Sequence, residues 1–281
     1  MTRFSWPHSN DYPITLKHQR TTLHLQKELP TLTRQALKRL IDLTPDVKRV
    51  SAPLECASSR LFTKRERLDS FKKKWRVQHG MRKRNGMFDW TLEELVNTCE
   101  ANRRGARVPG LVGFGYSRSK VGLIEDVFLI SHRLDGYLDG YNWILARPQA
   151  VDQLLDATFE LLHALHAQGI THMDLWAANV MLPEQVGEPA MAIDLENSFS
   201  VPTAFFSETL AFQFGFFYYR HIYRFITEID YDAKVKQAVE RYFPQIREAD
   251  FQRVYEIAKH QDIGRLKRRD IFLEGKIESL W

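Results

Sequence analysis

The spacing of apolar residues changes along this 281-residue chain. Short apolar runs predict strands at 47–50, 60–63, 107–115 and 122–131. Apolar residues at every third or fourth position predict helices at 33–43, 90–102 and 151–168, and mostly helical structure from residue 207 onward. Residues 1–30 show no regular spacing and are predicted to be irregular. Because strands and helices are segregated in this way, we predict an α+β fold with two lobes.

The same pattern predicts where the chain divides. We expect an N-terminal extension with one helix at 1–45, a small β-rich lobe at 46–133 and a helical lobe at 134–281. The polar, glycine-dotted stretch 132–142 is predicted to be a hinge between the lobes. At the start of the 90–102 helix, Thr91 and Glu94 have the spacing of a capping box.

Charge is concentrated in one segment. The whole chain has a net charge of +5, whereas residues 60–84 contain eleven Lys or Arg and two acids, a local net charge of +9. Such a segment is typical of a solvated face, or of a surface that binds phosphate, anionic lipid or nucleic acid. Only Phe71 and Trp75 lie among these cations, fewer aromatic residues than a single-strand platform usually carries, so nucleic acid is the least expected partner.

Composition narrows the class of protein. Apolar residues make up 44% of the chain, which excludes disorder as a description of the whole. Cys56 and Cys99 are too few for a disulfide framework or a thiolate zinc site. No apolar signal segment follows the N-terminus, and no apolar run reaches the length of a membrane span. We therefore expect a soluble protein of the reducing cytoplasm.

A polar loop after the 151–168 helix carries the candidate chemistry. It contains His172, Asp174 and Asn179, and is followed by two short strands, apolar on both faces, of which the second ends at Asp194. A buried hairpin that ends in carboxylates needs a functional reason, because an unpaired carboxylate there is costly. Phosphoryl transfer supplies one: Asp174 can accept the proton of a hydroxyl, while Asn179 and Asp194 can hold Mg²⁺ between ATP phosphates. His172 joins Asp174 as a catalytic candidate, although a His here more often braces a loop.

The run His172-Met-Asp174-x4-Asn179, followed by Asp194-Leu-Glu196, resembles the protein-kinase pattern His-Arg-Asp-x4-Asn followed by Asp-Phe-Gly. Within the protein-kinase-like superfamily, the chain looks like the bacterial Kdo/WaaP-type kinases, which phosphorylate sugar hydroxyls of the lipopolysaccharide inner core. It is also somewhat similar to aminoglycoside and choline phosphotransferases. The resemblance implies a kinase-like fold, with a small N-lobe and a helical C-lobe, that uses ATP and Mg²⁺.

The resemblance implies two further site residues. A kinase-like site needs a strand Lys that pairs with the α- and β-phosphates, and a helix Glu that holds this Lys. Lys64 and Glu94 are our candidates for these roles. The competing candidates are Lys72, Lys73, Lys74, Glu93 and Glu100.

Two features depart from the protein-kinase pattern. No glycine lies between residues 50 and 60, where a loop that cradles phosphates through backbone N–H groups normally needs one. After Asp194 the chain reads Leu-Glu rather than Phe-Gly, which suits kinases of sugars or small molecules. The glycine-rich stretch 110–115 is not followed by a helix, and it is predicted to be strand and turn.

Three functions stay open on the sequence. The first is a kinase for an anionic sugar acceptor of the lipopolysaccharide core, heptose or Kdo, with the basic segment meeting this acceptor at the cytoplasmic face of the inner membrane. The second is a kinase for a cationic small molecule, whose pocket would use Glu196, Glu208 and Glu228. The third is a pseudokinase, which the missing glycines favour and the joint presence of the loop and hairpin acids opposes.

Overall fold

The computed structural model describes residues 10–43, 47–57, 59–83, 86–185 and 187–278. Within them the chain forms two compact units. The first contains the residues up to Asn102 together with Pro109–Asp135, and the second contains Arg103–Val108 and the residues from Gly136 onward. The predicted α+β class is confirmed, because an antiparallel sheet lies in the N-terminal part and helices predominate in the C-terminal part.

The first unit is a six-stranded antiparallel sheet with helices packed on it. Its strands are β1 (Ile14–His18), β2 (Thr21–Leu25), β3 (Arg49–Pro53), β4 (Leu61–Arg67), β5 (Leu111–Arg118) and β6 (Ile124–His132). They follow the order β1-β2-β5-β6-β4-β3 across the sheet. Its helices are α1 (Thr31–Asp42), α2 (Phe71–His79) and α3 (Trp90–Arg103).

Strands β1 and β2 show that the irregular structure predicted over residues 1–30 was wrong for residues 14–18 and 21–25. They pair with each other, and β2 also pairs with β5. Each strand has only two apolar residues on its inner face, separated by Thr15 in β1 and by His24 in β2, so the alternation is too short to be distinctive. Leu23 and Leu25 of β2 are nevertheless buried in the core that also contains Leu37 of α1.

The alternation of side chains along β4 decides which face Lys64 occupies. Lys64 lies opposite Leu129 of β6. Leu129 packs in one core with Leu92 and Leu95 of α3, whereas α1 packs in a separate core. Because directly opposite residues of paired strands share a face of the sheet, Lys64 lies on the face that α3 covers.

The glycine-rich stretch 110–115 forms the start of β5, as predicted. Gly113 and Gly115 lie against β2, where a Cβ at either position would overlap a carbonyl oxygen and the side chain of Leu25 or Leu23. The glycines therefore allow β5 and β2 to pair closely beneath α1.

The basic segment 60–84 folds mainly into β4 and α2. Ser70 caps α2 by accepting a hydrogen bond from the backbone N–H of Lys73, and Gly80, in the left-handed region, ends it. Acids of the same unit pair with many of the cations: Lys64–Glu94, Arg65–Asp126, Lys73–Glu66, Lys74–Glu125 and Arg76–Asp89. The segment is therefore less uniformly positive as a surface than its composition indicates.

The start of α3 differs from the predicted capping box. The helix begins at Trp90, and the hydroxyl of Thr91 is buried without a hydrogen-bond partner among the described residues. Glu93 reaches back instead, and its carboxylate accepts a bond of 2.6 Å from the backbone N–H of Phe88. The helix begins at the first residue of its predicted range, but Glu93, rather than Glu94, bonds to the backbone that precedes it.

The second unit contains the remaining elements. Its helices are α4 (Gly140–Ala146), α5 (Val151–Ala167), α6 (Phe206–Tyr219), α7 (Glu228–Tyr242), α8 (Glu248–His260) and α9 (Arg265–Glu274). Its strands are β7 (Tyr137–Asp139), β8 (Thr171–His172), β9 (Val180–Pro183), β10 (Met191–Ala192) and β11 (Ser198–Phe199). They form a sheet of order β10-β9-β7 and a separate pair β11-β8. The stretch predicted as a hinge therefore forms regular structure from Tyr137 onward.

Helix α6 forms the centre of the second unit. All of its residues from Ser207 to Tyr218 are buried, so the aromatic side chains of this stretch belong to the core. Gly215 lies against α8, where a Cβ would overlap the carbonyl oxygen of Tyr255 and the side chain of Ala258. Within the ranges that the structure describes, no helix combines the length and apolar character that a membrane crossing requires.

Candidate active site

Lys64 and Glu94 form an ion pair in the first unit. Nζ of Lys64 lies 2.6 Å from Oε1 of Glu94, and a guanidinium nitrogen of Arg49 lies 3.4 Å from Oε2. The Glu94 side chain is 7% exposed and that of Lys64 is 21% exposed. The buried carboxylate therefore fixes the ammonium group of a partly exposed lysine, an arrangement that can present positive charge to a phosphate. Glu94, rather than Glu93, is the acid that faces Lys64.

The competing lysines have structural partners. Nζ of Lys73 lies 2.8 Å from Glu66, and Nζ of Lys74 lies 3.2 Å from Glu125. Both pairs join α2 to strands of the sheet. Lys72 is exposed on the outer side of α2.

The turn between β3 and β4 stands where the kinase pattern has its glycine-rich loop. The two strands pair in register, with Ser51 opposite Lys64, and the backbone N–H of Leu54 donates to the carbonyl of Leu61 at 2.9 Å. The sequence between Pro53 and Leu61 has no glycine; Ala57 is a small residue of this turn, whereas Ser51 and Ala52 lie in β3. Ser58 lies outside the described residues.

In the second unit, His172 braces the loop that follows α5. Its Nε2 lies 2.9 Å from the carbonyl oxygen of Ile193, and its Nδ1 lies 3.2 Å from the backbone nitrogen of Asp174. A carbonyl oxygen only accepts, so Nε2 carries the proton, Nδ1 accepts the Asp174 N–H, and the ring is neutral. Burial lowers the pKa of His172 and so favours the same form. These contacts indicate a positioning residue, and the catalytic role predicted for His172 stays a prediction.

The carboxylate of Asp174 is held by two arginines of α9. Oδ1 lies 2.5 Å from Nη1 of Arg268, and Oδ2 lies 2.8 Å from Nη2 of Arg265. Asp174 is buried, so the guanidinium groups supply the opposite charge that a buried carboxylate requires.

Sequence reasoning missed both arginines. They follow Asp174 by 91 and 94 residues and belong to no motif that we identified. The available signal was the spacing of Arg265, Arg268 and Arg269, because residues three and four positions apart share one face of a helix.

Asn179 lies beside the residues that precede Asp194. Val180 of β9 pairs with Ala192 of β10, so both candidate metal ligands lie at the same end of this hairpin. The backbone N–H of Ile193 donates to the carbonyl of Asn179 at 3.0 Å. The predicted hairpin therefore exists and brings Asn179 and the chain entering Asp194 together.

The donor groups at this end of the hairpin fit Mg²⁺. Nδ2 of Asn179 donates to the carbonyl of Asp174 at 2.8 Å. This bond orients the amide so that its Oδ1 points away from that carbonyl. Asp194 has a left-handed backbone with φ of 66°, a conformation that costs a residue other than glycine about 1 kcal/mol. Such a conformation persists only where the surroundings require it, which is common at active sites. An amide oxygen and a carboxylate are oxygen ligands of the kind that Mg²⁺ prefers.

The hairpin is less buried than predicted. Val180 and Leu182 are buried, whereas Met181 and Pro183 are partly exposed. Alternate side chains of a strand point to opposite faces, and only one face of β9 is directed into the core.

A buried glutamine connects the loop to α5. Gln213 of α6 donates to the carbonyl of His172 at 3.1 Å, and its Oε1 lies 2.7 Å from Nε2 of His166. Burial lowers the pKa of His166 to about 4, so this ring is neutral near pH 7. The position of the loop backbone therefore depends on a polar network that crosses α5 and α6.

The acids considered for a cationic acceptor are already paired. The pairs are Glu196 with Arg265 at 2.5 Å, Glu208 with Arg247 at 3.4 Å and Glu228 with Lys259 at 2.8 Å. A pocket for a cation needs acids whose charge is not neutralised, so this arrangement disfavours the second function considered from the sequence.

Comparison with known proteins identifies one family. The sequence model described as "Lipopolysaccharide kinase (Kdo/WaaP) family" matches residues 60–202, which include all six predicted site residues. No curated protein matches the chain. Among solved structures, the chain is similar to "WaaP in complex with acyl carrier protein", with 15% identity, coverage of 76% of this chain and 85% of that chain, and a TM-score of 0.49. It is also similar to the bifunctional kinase-methyltransferase WbdD, with 17% identity, 76% and 48% coverage, and a TM-score of 0.43.

Proposed function

Because the chain belongs to the lipopolysaccharide kinase (Kdo/WaaP) family, it is a kinase, and we propose that it transfers the γ-phosphoryl group of ATP to a sugar hydroxyl of the lipopolysaccharide inner core. The acceptor would be a heptose or a Kdo residue. The main support is the β9–β10 hairpin, which brings Asn179 and the chain entering Asp194 to one end, next to the loop of Asp174.

Each candidate residue has a separate role in the proposed reaction. Asp174 accepts the proton of the sugar hydroxyl. At the same time the hydroxyl oxygen bonds to the γ-phosphorus, and the bond between this phosphorus and the leaving ADP breaks. Asn179 and Asp194 would hold Mg²⁺, which neutralises charge on the phosphates when it is bound. Lys64, fixed by Glu94, pairs with the α- and β-phosphates. In such a site the protein contributes mainly positioning and charge stabilisation.

The proposal is tested by measuring mass-resolved phosphate transfer from ATP to purified lipopolysaccharide core, with and without Mg²⁺. We expect transfer that requires the metal and that disappears in Asp174→Ala. An unchanged rate in this variant would contradict the mechanism. Transfer to an aminoglycoside or to choline, but not to the core, would show that the acceptor is a cationic small molecule.

A pseudokinase is separated from an enzyme by nucleotide binding and turnover. The turn between β3 and β4 has no glycine, which is the observation that favours a pseudokinase. A ligand that binds only the folded state raises the melting temperature by mass action. We expect Mg·ATP to raise it in the wild-type protein and to do so less in Lys64→Ala. A shift without any transfer, or no shift at millimolar nucleotide, would favour the pseudokinase.

We further propose that α2 contacts the anionic surface of the inner membrane on its cytoplasmic face. Phe71 and Trp75 are 68% and 45% exposed, and their rings are stacked 6.3 Å apart along one side of the helix. Lys72, on the same side, is exposed as well. Exposed aromatic residues beside cations are typical of helices that lie at the surface of an anionic bilayer.

This contact is tested by sedimentation with lipid vesicles. We expect binding to vesicles rich in phosphatidylglycerol, weaker binding to vesicles of phosphatidylcholine alone, and loss of binding in the double variant Phe71→Ser, Trp75→Ser. Ile229→Ser, which removes an exposed apolar side chain from α7, is the matched control and should bind as the wild type does. Equal binding by the double variant would contradict the proposed contact.

A further inference from the structure

The family match ends at residue 202, yet the carboxylate of Asp174 is bonded to a helix beyond it. Resting on the proposed function, we infer that α9 completes the active site: Arg268 and Arg265 are positioning residues that fix the carboxylate of Asp174 for proton transfer.

Arg268 is held by two contacts in addition to its bond with Asp174. Its Nε donates to the carbonyl of Ile263 at 2.6 Å, and its guanidinium lies 4.1 Å from the centre of the Phe216 ring. The side chain is 6% exposed. A guanidinium fixed by a carbonyl, a ring and a carboxylate has one orientation, and it imposes that orientation on Oδ1 of Asp174.

Arg265 restrains the other oxygen from the solvent side. It bridges Oδ2 of Asp174, at 2.8 Å, and Oε1 of Glu196, at 2.5 Å, while its side chain remains 46% exposed. A carboxylate has about four lone-pair sites. The two arginines use one site on each oxygen, so the carboxylate retains sites for a substrate hydroxyl.

Stability alone is a weak reason for this arrangement. A buried ion pair is often no more stabilising than apolar residues of the same volume, because desolvation offsets the Coulomb attraction. A general base, by contrast, must lie within hydrogen-bond distance of the proton that it accepts, and a displacement of about 1 Å can lower the rate 100-fold. Orientation of the reacting oxygen therefore explains the pair of arginines better than folding does.

Helix α9 also contains a control for a purely structural role. Arg269 is buried like Arg268, but its Nε donates to Oδ1 of Asn197 at 2.8 Å and its Nη2 to the carbonyl of Glu196 at 3.0 Å. Arg269 thus attaches the same helix to the same region through other atoms. Lys267, exposed and paired with Glu278, is the control for the outer face of α9.

The experiment compares kcat, the KM for ATP, the KM for lipopolysaccharide core and the melting temperature across these variants. We expect kcat to fall about 100-fold in Arg268→Ala and about 10-fold in Arg265→Ala, with the KM for ATP unchanged. Arg268→Lys, which keeps the charge without the planar fork, should recover part of the loss. Arg269→Lys should lower the melting temperature and keep kcat, and Lys267→Ala should change neither.

Two results would overturn the inference: wild-type kcat in both Arg265→Ala and Arg268→Lys, or an equal loss of kcat in Arg269→Lys. If Arg268→Ala does not fold, the half-exposed Arg265 and the lysine variant still decide the matter. If the wild-type protein transfers no phosphate to the core, the proposed acceptor is wrong. The rate of ATP hydrolysis, with water as the acceptor, is then measured for the same variants. The arginine effects would then persist in hydrolysis if the inference is right and be absent if it is wrong.

Discussion

Two carboxylates among the candidate site residues, Glu94 in the first unit and Asp174 in the second, are held in different ways. Glu94 bonds to Lys64, 30 residues earlier; Glu94 lies in a predicted helix, and Lys64 directly follows the predicted strand 60–63. Asp174 is held by Arg265 and Arg268, 91 and 94 residues later, on a helix that no motif marks. The comparison teaches that a motif marks a candidate reacting group, whereas the residues that hold its side chain come from any part of the chain that the fold places nearby.

Of the changes that test this comparison, Asp174→Asn is expected to have the largest effect on activity. An amide cannot accept the hydroxyl proton, so kcat should fall about 10³-fold. Binding of Mg·ATP, assigned to Lys64 and the hairpin ligands, should persist in a thermal-shift titration. Steady-state kinetics with lipopolysaccharide core measure the loss. Asp156→Asn, which changes an exposed acid of α5, is the control, and wild-type turnover by Asp174→Asn would remove Asp174 from the mechanism.

The stability of the second unit should also depend on pH, because His166 is buried in it. Burial lowers its folded-state pKa to about 4, below the ordinary value of 6.5, so the unfolded chain binds a proton first as the pH falls. The contribution to stability is complete above pH 6.5, is lost as the pH falls toward 4, and amounts to at most about 3 kcal/mol. Urea unfolding at several pH values measures it.

His166→Gln provides the control for this pH dependence. The variant keeps a group that can donate to Gln213 but does not titrate, so its free energy of unfolding should fall less between pH 6.5 and 4. The same slope in both proteins would show that His166 is not the group responsible. His172 contributes with the same sign, because burial lowers its pKa too.

A smaller effect is expected in the first unit, from the pair of Lys64 and Glu94. Lys64→Ala and Glu94→Gln should each raise the KM for ATP, because each removes or releases the ammonium that binds phosphate. In a double-mutant cycle the two changes should couple by about 2 kcal/mol, as a charged hydrogen bond does. Lys73→Ala, in the same basic segment, should leave the KM unchanged. Additive effects of the two changes would mean that Glu94 does not act through Lys64.

The smallest effect is expected from Arg49→Ala. Its guanidinium lies 3.4 Å from Glu94 and its side chain is 36% exposed, so the pair is screened by solvent. The change should cost less than about 1 kcal/mol in ATP binding, measured by calorimetry. A loss as large as that of Lys64→Ala would show that the two cations share the role assigned to Lys64 alone.

Secondary structure was predictable where a local pattern was long enough. Helices α1, α3 and α5 and strands β5 and β6 lie close to their predicted ranges. The hairpin β1–β2 was missed because the alternation in each strand contains only two apolar residues. The capping acid was predicted to be Glu94, whereas Glu93 bonds to the backbone before α3 and Glu94 bonds to Lys64, because neighbouring helix positions face different directions.

The sequence by itself determined the class of fold and the candidate reacting groups, because spacing along the chain specifies which side chains a loop and a hairpin bring to one end. Only the tertiary structure decided what holds them: the neutral His172 between two backbone groups, the link from Gln213 to His166, and the arginines of α9 on Asp174. These contacts join residues far apart in the chain. Their formation depends on how helices pack, and no local periodicity encodes that packing.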